Sequence, residues 1–471
     1  MTMLMADSGD CAGEATKTAL FEALKARFGD RFSLSQALRA QHAATLTWLK
    51  PEPPEAVLFA ETTEEVAEAL KLCAEARVPV IPFGTGTSLE GHLNAPRGGL
   101  SLDLSRMNRI LAVHAADLDC IVEPGVTRKA LNDYLRDTGL FFPVDPGADA
   151  SLGGMAATRA SGTNAVRYGT MRDLVLGLTA VLADGSIVKT GGRARKSAAG
   201  YDLTRLLVGS EGTLGVITQL TLKLYGIPET ILSGVCAFDS LEGACNATIA
   251  ALQMGLPIAR IELADEVQIR GCNAYSRLTL PEQPTLFLEF HGSEAGTREQ
   301  VETFAAIAAD EGGGAVDWAT RPEDRTKLWQ ARHDAYWAAR ALKPGTDLIA
   351  TDVCVPISAL AACVAETKQD IERLGLLAPI VGHVGDGNFH VMPLIDPADR
   401  EERKRVQAFL DRLVERALRF EGTCTGEHGV GQGKIGYLAM EHGLGVDVMI
   451  AIKKALDPLN ILNPGKIFAL P

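Results

Sequence analysis

The chain of 471 residues lacks several features that mark large classes of protein. It has no run of 18 or more apolar residues, and residues 1–14 have neither a basic region nor an apolar core. The sequence therefore predicts no transmembrane span, signal peptide or transit peptide. Lysine and arginine are outnumbered by aspartate and glutamate, 46 to 59, and the net charge of -13 argues against a nucleic-acid partner.

The nine cysteines are scattered and include no Cys-x-x-Cys pair. This spacing argues against a disulfide framework and against an iron–sulfur cluster held by thiolates. Reduced thiols fit a cytoplasm-like compartment. We therefore expect a cytoplasmic protein, or a mitochondrial one in a eukaryote, and peripheral attachment to a membrane stays open.

Glycine is abundant, with 47 residues, but it does not follow the spacing of the common nucleotide-binding motifs. The first glycine-rich segment fits neither G-x-G-x-x-G nor a Walker loop, which disfavours a Rossmann or kinase-like site. Glycines still let backbone N–H groups approach a pyrophosphate, because they carry no Cβ. Three such segments in one domain predict an extended cofactor that crosses several loops: 82–91, 146–169 and 209–216.

Residues 380–392 predict a β-hairpin that could bind a metal ion. An Asp-Gly pair between apolar runs favours a two-residue type I′ turn, and pairing outward from it sets His383 opposite His390. Cβ atoms of opposed residues lie roughly 5 Å apart, so both imidazoles can reach one ion. Glu427 adds a carboxylate, and two histidines with one carboxylate form a divalent-metal site, for Zn or Mn, that leaves positions for a substrate. Each histidine alone is more often a packed side chain than a ligand.

The length and the hydrophobic share of 46% predict two or three globular domains. Residues 1–50 contain a helix and an irregular stretch, and the first ordered domain is expected to start at 51. The segment 51–228 carries the glycine loops, and 229–421 carries the hairpin. The last segment is 422–471, and prolines interrupt its stretch 453–468, so we expect this stretch to lie as a strap over another domain.

These segments resemble a known family. The glycine-rich segments resemble the FAD-binding elements of vanillyl-alcohol oxidase type flavoproteins, at residues 82–91, 143–155, 209–216 and 463–466. The later motifs resemble the FAD-dependent D-lactate dehydrogenases that pass electrons to cytochrome c, at residues 351–356, 382–390 and 422–429. Glycolate oxidase flavin subunits and D-2-hydroxyglutarate dehydrogenases are near relatives. The resemblance covers about residues 50–471.

The resemblance implies an α+β protein with a two-lobed FAD-binding domain of the p-cresol methylhydroxylase (PCMH) type and an α+β substrate domain with an antiparallel sheet. Relatives with covalent flavin carry a histidine in the first glycine loop, where this chain has Thr85 and Thr87, so FAD is expected to be non-covalent. The residues expected to contact FAD are Pro82, Gly84, Thr85, Gly86, Thr87, Ser88, Gly91, Pro146, Gly147, Ser151, Gly153, Gly154, Ser161, Gly162, Glu211, Gly212, Gly215, Ile217 and Asn463.

The resemblance also implies oxidation of a D-2-hydroxy acid, with D-lactate favoured and with cytochrome c, a quinone or an electron-transfer protein as acceptor. His428 is expected to act as general base, with a pKa near the ordinary 6.5, and to bind substrate together with Arg332. Relatives that act on a second carboxylate tend to have a lysine where Ala350 and Thr351 stand, which favours a monocarboxylate.

Several alternatives to this function stay open. They are glycolate or D-2-hydroxyglutarate as substrate, a flavin subunit that relays electrons to an iron–sulfur partner, and a flavin-binding protein without catalysis. A homodimer is also open.

Overall fold

Residues 13–319 and 321–470 are described in the computed structural model. Residues 1–12, Thr320 and Pro471 lie outside the described residues. The sequence prediction about a signal or transit peptide concerns residues 1–14 and therefore falls mostly on residues that are not described. The fold is α+β, as predicted. Two lobes are followed by a domain built on a long antiparallel sheet.

The first lobe is a small sheet covered by helices. Its helices are α1 (Glu14–Phe28), α2 (Gln36–Gln41) and α3 (Thr63–Glu75). Its strands are β1 (Phe32–Ser33), β2 (Ala56–Phe59), β3 (Val80–Phe83) and β4 (Leu100–Asp103). The sheet order is β1-β2-β4-β3, in which β2, β4 and β3 are parallel and β1 is an antiparallel edge.

Helix α3 illustrates how the sequence builds this lobe. The Thr62 side chain accepts a hydrogen bond from the backbone N–H of Glu65 and caps the helix. Leu24 of α1 and Phe32 of β1 join the core below α3, so the lobe includes residues that the sequence analysis placed before its start at 51. The buried residues of α3 recur at helical spacing: Val66, Ala69, Leu70 and Cys73.

The second lobe is an antiparallel sheet in the order β5-β6-β10-β8-β9, with a separate pair β11-β7. Its strands are β5 (Ile110–His114), β6 (Asp119–Val122), β7 (Leu140–Phe141), β8 (Val175–Val181), β9 (Ile187–Gly191), β10 (Val216–Lys223) and β11 (Tyr225–Gly226). Its helices are α4 (Arg128–Leu135), α5 (Leu152–Thr158), α6 (Ala165–Tyr168), α7 (Met171–Leu174) and α8 (Leu203–Leu207). The glycine loop 209–216 leads directly into β10.

The third unit contains seven antiparallel strands in the order β15-β12-β14-β13-β18-β19-β17, and a pair β16-β20. The strands are β12 (Thr230–Ala237), β13 (Ile258–Ala264), β14 (Thr285–Gly292), β15 (Asp317–Trp318), β16 (Asp347–Leu348), β17 (Val353–Cys354), β18 (Ile380–Gly382), β19 (Asn388–Val391) and β20 (Leu394–Ile395). The helices are α9 (Leu241–Gln253), α10 (Glu266–Ser276), α11 (Glu294–Asp310), α12 (Pro322–His333), α13 (Ala335–Ala341), α14 (Leu360–Leu374) and α15 (Arg400–Arg419).

Both faces of this sheet are buried, by different helices. Leu286, Leu288 and Phe290 of β14 pack in a large core with α9, α11, α14 and α15. Phe287 points to the opposite face, because strand side chains alternate, and packs with α10 and α12 around Trp329. The functional cavity described below lies on the side of α12 and α13.

The chain ends with α16 (Ile435–His442), α17 (Gly445–Leu456) and an irregular strap. The strap returns to the first lobe, where Leu462 forms a parallel bridge with Val80. Lys453 holds the strap from within: its Nζ donates to Leu462 O and to Thr213 O, both at 2.8 Å, and pairs with the buried Asp457. Over the described ranges no single helix could span a membrane, although α16 and α17 together, bent by 119°, have the length and composition.

The buried Lys453–Asp457 pair generates a stability prediction. Lys453→Met is expected to lower the free energy of unfolding by about 3–5 kcal/mol, because it leaves Asp457 buried without its cation. The exposed neighbour provides the control, and Lys454→Met should change stability by less than about 0.5 kcal/mol. Thermal and denaturant unfolding of both variants measures the difference, and equal stability would contradict this role for the pair.

Candidate functional site

A cavity of about 470 Å³ lies where the two lobes meet the third domain. This volume is in the range of cofactor and substrate sites. The residues that line it include most of those predicted to contact FAD: Pro82, Gly84, Thr85, Gly86, Thr87, Ser88, Pro146, Gly147, Ser151, Gly153, Gly154, Glu211, Gly212, Gly215, Ile217 and Asn463. All three glycine segments and the C-terminal strap therefore meet at one cavity.

Two glycines in the loops that line the cavity pack closely against side chains of the other lobe. A Cβ on Gly84 would lie 2.3 Å from Ser151 Oγ, and a Cβ on Gly212 would lie 2.9 Å from Pro82 Cγ. Because these glycines carry no Cβ, the backbone of each lobe can approach side chains of the other lobe around the cavity.

Polar atoms in the cavity wall fit a polar cofactor. Ser88 Oγ, Ser151 Oγ and Asn463 Oδ1 are buried and have no hydrogen-bond partner within the described chain. An unsatisfied buried group costs about 1–3 kcal/mol, so a ligand that offers hydrogen bonds here is favoured. The phosphates, ribityl chain and flavin ring of FAD offer such bonds, and the residues present therefore fit FAD.

Three residues predicted to contact FAD do not line the cavity. Gly91 packs its backbone against Leu49 and Gln432, and a Cβ there would lie 2.6 Å from Leu49 Cδ1. Gly162 packs against the backbone of Asp145. Ser161 donates its hydroxyl to Glu427 Oε2 at 2.6 Å, so this serine supports the candidate metal ligand described below.

Glu211 lines the cavity, but its carboxylate is already engaged. Its Oε1 and Oε2 accept the N–H groups of Val430 and Gly431 at 2.7 and 2.8 Å, and His92 Nε2 lies 3.2 Å from Oε2. Asn463 donates to the Glu211 carbonyl at 2.7 Å. Glu211 therefore joins the third glycine loop to the C-terminal segments, and His92 is a cavity residue that the sequence analysis did not select.

The hairpin that carries the two histidines has a different register from the predicted one. Val381, not His383, lies opposite His390, and residues 384–386 form a turn of 3-10 helix in place of a two-residue type I′ turn. The longer turn lets Val384 point inward, where it is fully buried in the domain core. The imidazoles still come together, with ring centroids 5.5 Å apart, because both project into the cavity.

The three predicted metal ligands converge at one point. Glu427 Oε1 lies 3.1 Å from His383 Nε2 and 3.3 Å from His390 Nε2. His390 Nδ1 faces the Thr351 carbonyl at 2.8 Å, and His383 Nδ1 faces Glu262 Oε1 at 2.9 Å. Since both partners only accept hydrogen bonds, each Nδ1 carries a proton, and each Nε2 is the ring nitrogen that can bind a metal ion.

This donor set fits a divalent cation. Ligand atoms at about 2.1 Å from a tetrahedral ion lie about 3.4 Å apart, close to the two spacings above. Burial lowers the pKa of His383, but the carboxylates of Glu262 and Glu427 outweigh burial and raise this pKa well above its ordinary value. Burial raises the pKa of Glu427, but His383 and His390 outweigh it and lower this pKa. A positive charge is thus strongly favoured between these groups, and a bound metal ion can supply it.

His428 lies beside this donor set, and Asp352 holds its backbone. The imidazole stacks on His390, with ring centroids 5.0 Å apart and planes 6° from parallel. Asp352 Oδ2 accepts the N–H groups of Glu427 and His428 at 2.8 and 2.9 Å. Donor atoms of Asp352, His390 and His428 also lie within 4.8 Å of one another, a second grouping suited to a cation.

The environment of His428 corrects the expected pKa. Burial lowers the pKa of His428 to about 4, although the Asp352 carboxylate opposes this shift. The imidazole is therefore neutral at neutral pH, with its Nδ1 buried and without a partner in the described structure. A neutral imidazole in the cavity wall can accept a proton.

Arg332 lines the cavity at the end of α12 and is buried. Its Nη2 donates to Glu262 Oε2 at 2.5 Å, and its Nε has no hydrogen-bond partner among the described residues. Glu262 and Asp352 were missed as site residues. Glu262 lies within β13 outside any motif, whereas Asp352 lies in the segment 351–356, which resembles a family motif but was not assigned a role. Only the folded chain brings these carboxylates to His383 and His428.

The comparisons with known proteins agree with this architecture. Residues 54–191 match the FAD binding domain family, and residues 227–467 match the family of FAD linked oxidases, C-terminal domain. The chain belongs to the FAD-linked oxidases, and it is a flavoprotein oxidoreductase.

Individual relatives have more specific names. The chain is 52% identical to a probable mitochondrial D-lactate dehydrogenase of Danio rerio, over 97% of this chain and 94% of that protein. It is 47% identical to the mitochondrial D-lactate dehydrogenase (cytochrome) of Arabidopsis thaliana, over 96% of this chain and 79% of that one. It is 35% identical to the glycolate oxidase subunit GlcD of Bacillus subtilis, over 93% and 94%. These relatives confirm the predicted family resemblance.

Solved structures confirm the predicted PCMH-type fold. The chain superimposes on p-cresol methylhydroxylase with a TM-score of 0.80 over 97% of this chain and 98% of that chain. Sequence identity is 19%, so the likeness concerns the fold alone.

The donor geometry predicts that the protein binds a divalent metal ion and that His383→Ala or His390→Ala weakens this binding. We expect affinity to fall by more than about tenfold, which loss of a supporting residue alone can cost. The FAD content should stay at the parental level, because neither imidazole belongs to the glycine loops. Metal analysis and flavin absorbance of the same samples measure both, with the exposed His442→Ala as control. Parental metal content in both variants would refute the ligand assignment.

Proposed function

We propose that the protein oxidises D-2-hydroxy acids, with D-lactate as preferred substrate and pyruvate as product. One observation carries the proposal: Arg332, His428 and the donor set of His383, His390 and Glu427 all line one cavity with the loops that fit FAD. Oxidation of a 2-hydroxy acid requires groups of these kinds, because the enzyme must bind the carboxylate, remove the hydroxyl proton and transfer a hydride to the cofactor.

The roles of the chain's own residues follow from their positions. Arg332 binds the substrate carboxylate, for which a planar guanidinium is suited. His428, neutral at neutral pH, accepts the hydroxyl proton as C2 loses its hydride and the C–O bond becomes a carbonyl. When bound, FAD supplies the two-electron acceptor, and a divalent ion, Zn or Mn, supplies a Lewis acid for the substrate oxygens.

Two observations support D-lactate over the other 2-hydroxy acids. The relatives named mitochondrial D-lactate dehydrogenase share 42–52% identity with the chain, whereas the glycolate oxidase subunit and a D-lactate dehydrogenase of Anaerostipes hadrus each share 35%. Ala350 lines the cavity, and Thr351 follows it, so neither position supplies a cation for a second carboxylate. Glycolate stays the second candidate, since it is also a monocarboxylate.

The proposed electron acceptor is cytochrome c, with a quinone or an electron-transfer protein as alternatives. A relative's name includes cytochrome, and this supports the choice. The cysteines are consistent with this choice, because their spacing does not suit an iron–sulfur cluster that would take electrons from the flavin within the chain. All eight cysteines in the described ranges are free thiols, and seven of them are buried. Such thiols also support a reducing compartment, cytoplasmic or mitochondrial. A homodimer stays a proposal.

FAD is proposed to be non-covalent. The loop 84–88 contains no histidine, and His92 at its far end lies against Glu211. The alternative of an iron–sulfur partner can be tested by pulldown from a native extract.

The decisive experiment is anaerobic reduction of the flavin by a panel of D- and L-2-hydroxy acids. D-lactate should bleach the flavin fastest, and L-lactate and D-2-hydroxyglutarate should be poor substrates. Acid precipitation of the same protein should release its FAD, and metal analysis should find the divalent ion. A flavin that no panel member reduces would refute the proposed activity, whereas faster reduction by glycolate would reassign the substrate.

The position of His428 gives a mutational prediction. His428→Ala should keep both FAD and metal but slow flavin reduction by D-lactate about 10²- to 10⁴-fold, which is the usual contribution of a general base. Anaerobic stopped-flow absorbance measures the rate, with the exposed His442→Ala as the matched control. Reduction at the parental rate would assign proton removal to a different group.

A further inference from the structure

We propose that Glu262 is a positioning residue that joins the two halves of the substrate site. It fixes the proton of His383, so that the metal-facing nitrogen is bare, and it fixes Arg332 for the substrate carboxylate. The proposal rests on the function proposed above.

Glu262 lies within β13, an unusual place for a carboxylate. Its neighbours Ile261 and Leu263 pack in the domain core, and strand alternation turns Glu262 to the opposite face. The residue is 1% exposed, and a buried charge is costly unless it is paired. Its two oxygens are divided between two partners, with Oε2 accepting from Arg332 and Oε1 facing His383.

The bond to His383 determines which ring nitrogen can bind a cation. An ionised carboxylate only accepts hydrogen bonds, so His383 must carry its proton on Nδ1. This leaves Nε2, 3.1 Å from Glu427 Oε1, as the ring nitrogen that can bind a cation. Partners of this kind orient metal-binding histidines and select their tautomer.

The bond to Arg332 determines the plane of the guanidinium. Arg332 lines the cavity, and among the described residues its Nε has no hydrogen-bond partner. Glu262 holds Nη2 and thereby leaves another donor of the same rigid group for a carboxylate. One side chain thus sets the distance between the carboxylate anchor and the metal donors.

Glu262→Gln tests this role because glutamine has nearly the same shape. Its amide oxygen must face Arg332, which can only donate, and its amide NH₂ must then face His383 Nδ1. The imidazole proton moves to Nε2, the nitrogen required by the metal. We expect affinity for Mn²⁺ or Zn²⁺, titrated into metal-stripped FAD-loaded protein, to fall about 10- to 100-fold. FAD content should be unchanged.

Glu289→Gln is the matched control. Glu289 is a buried carboxylate on the adjacent strand β14, and it also faces an imidazole, with His291 Nε2 at 2.8 Å. This pair lies outside the proposed metal donors. The Glu289→Gln substitution should therefore leave metal affinity at the parental value. An equal loss in both variants would show that removal of any buried carboxylate from this sheet weakens metal binding, and would contradict a specific role of Glu262.

Glu262→Asp provides a second test that keeps the charge. The shorter side chain cannot reach both partners, so either the metal dissociation constant or the KM for D-lactate should rise at least tenfold while kcat changes less. Metal affinity and KM both within twofold of the parent, in either variant, would overturn the proposal. Metal titration needs no substrate, so it tests Glu262 even if D-lactate does not reduce the parental flavin.

Discussion

The site depends on two buried carboxylates that hold one loop from opposite sides. Asp352, which precedes β17 of the third domain, accepts the N–H groups of Glu427 and His428. Glu211, from the second FAD lobe, accepts those of residues 430–431. A carboxylate that takes backbone donors fixes the main chain and leaves the loop's side chains free for ligands. The position of Glu427 and His428 in the cavity wall is therefore set by one acid from each side of the domain junction.

Much of the fold could be predicted from local patterns. The residue type of Thr62 indicates the start of α3, and apolar residues at helical spacing indicate its buried face. The glycine loops indicate a cofactor that crosses several segments. Three candidate metal ligands could be selected from residue type and proximity in the sequence, and the structure brings them together although the predicted turn is wrong. Each of these features depends on residues that are close in sequence or on chemistry that few residue types share.

The rest could not be predicted, because it depends on tertiary contacts. The hairpin register is wrong in the prediction because burial of Val384 in the core outweighs the local preference of an Asp-Gly turn. The partner of His383, Glu262, lies 121 residues away, and no spacing links them. The lowered pKa of His428 likewise follows from burial and not from residue type.

The strap has a consequence for how the protein is made. Leu462 bridges to Val80, and Asn463 lines the cavity opposite glycine loops that are synthesised hundreds of residues earlier. Contacts of such long sequence separation form late, after most of the chain is available. The first lobe must therefore leave the ribosome with its cofactor loops still open on one side. FAD then binds late in assembly, because the whole cavity forms only after the strap has docked. Its binding stabilises the folded state with the strap in place by mass action.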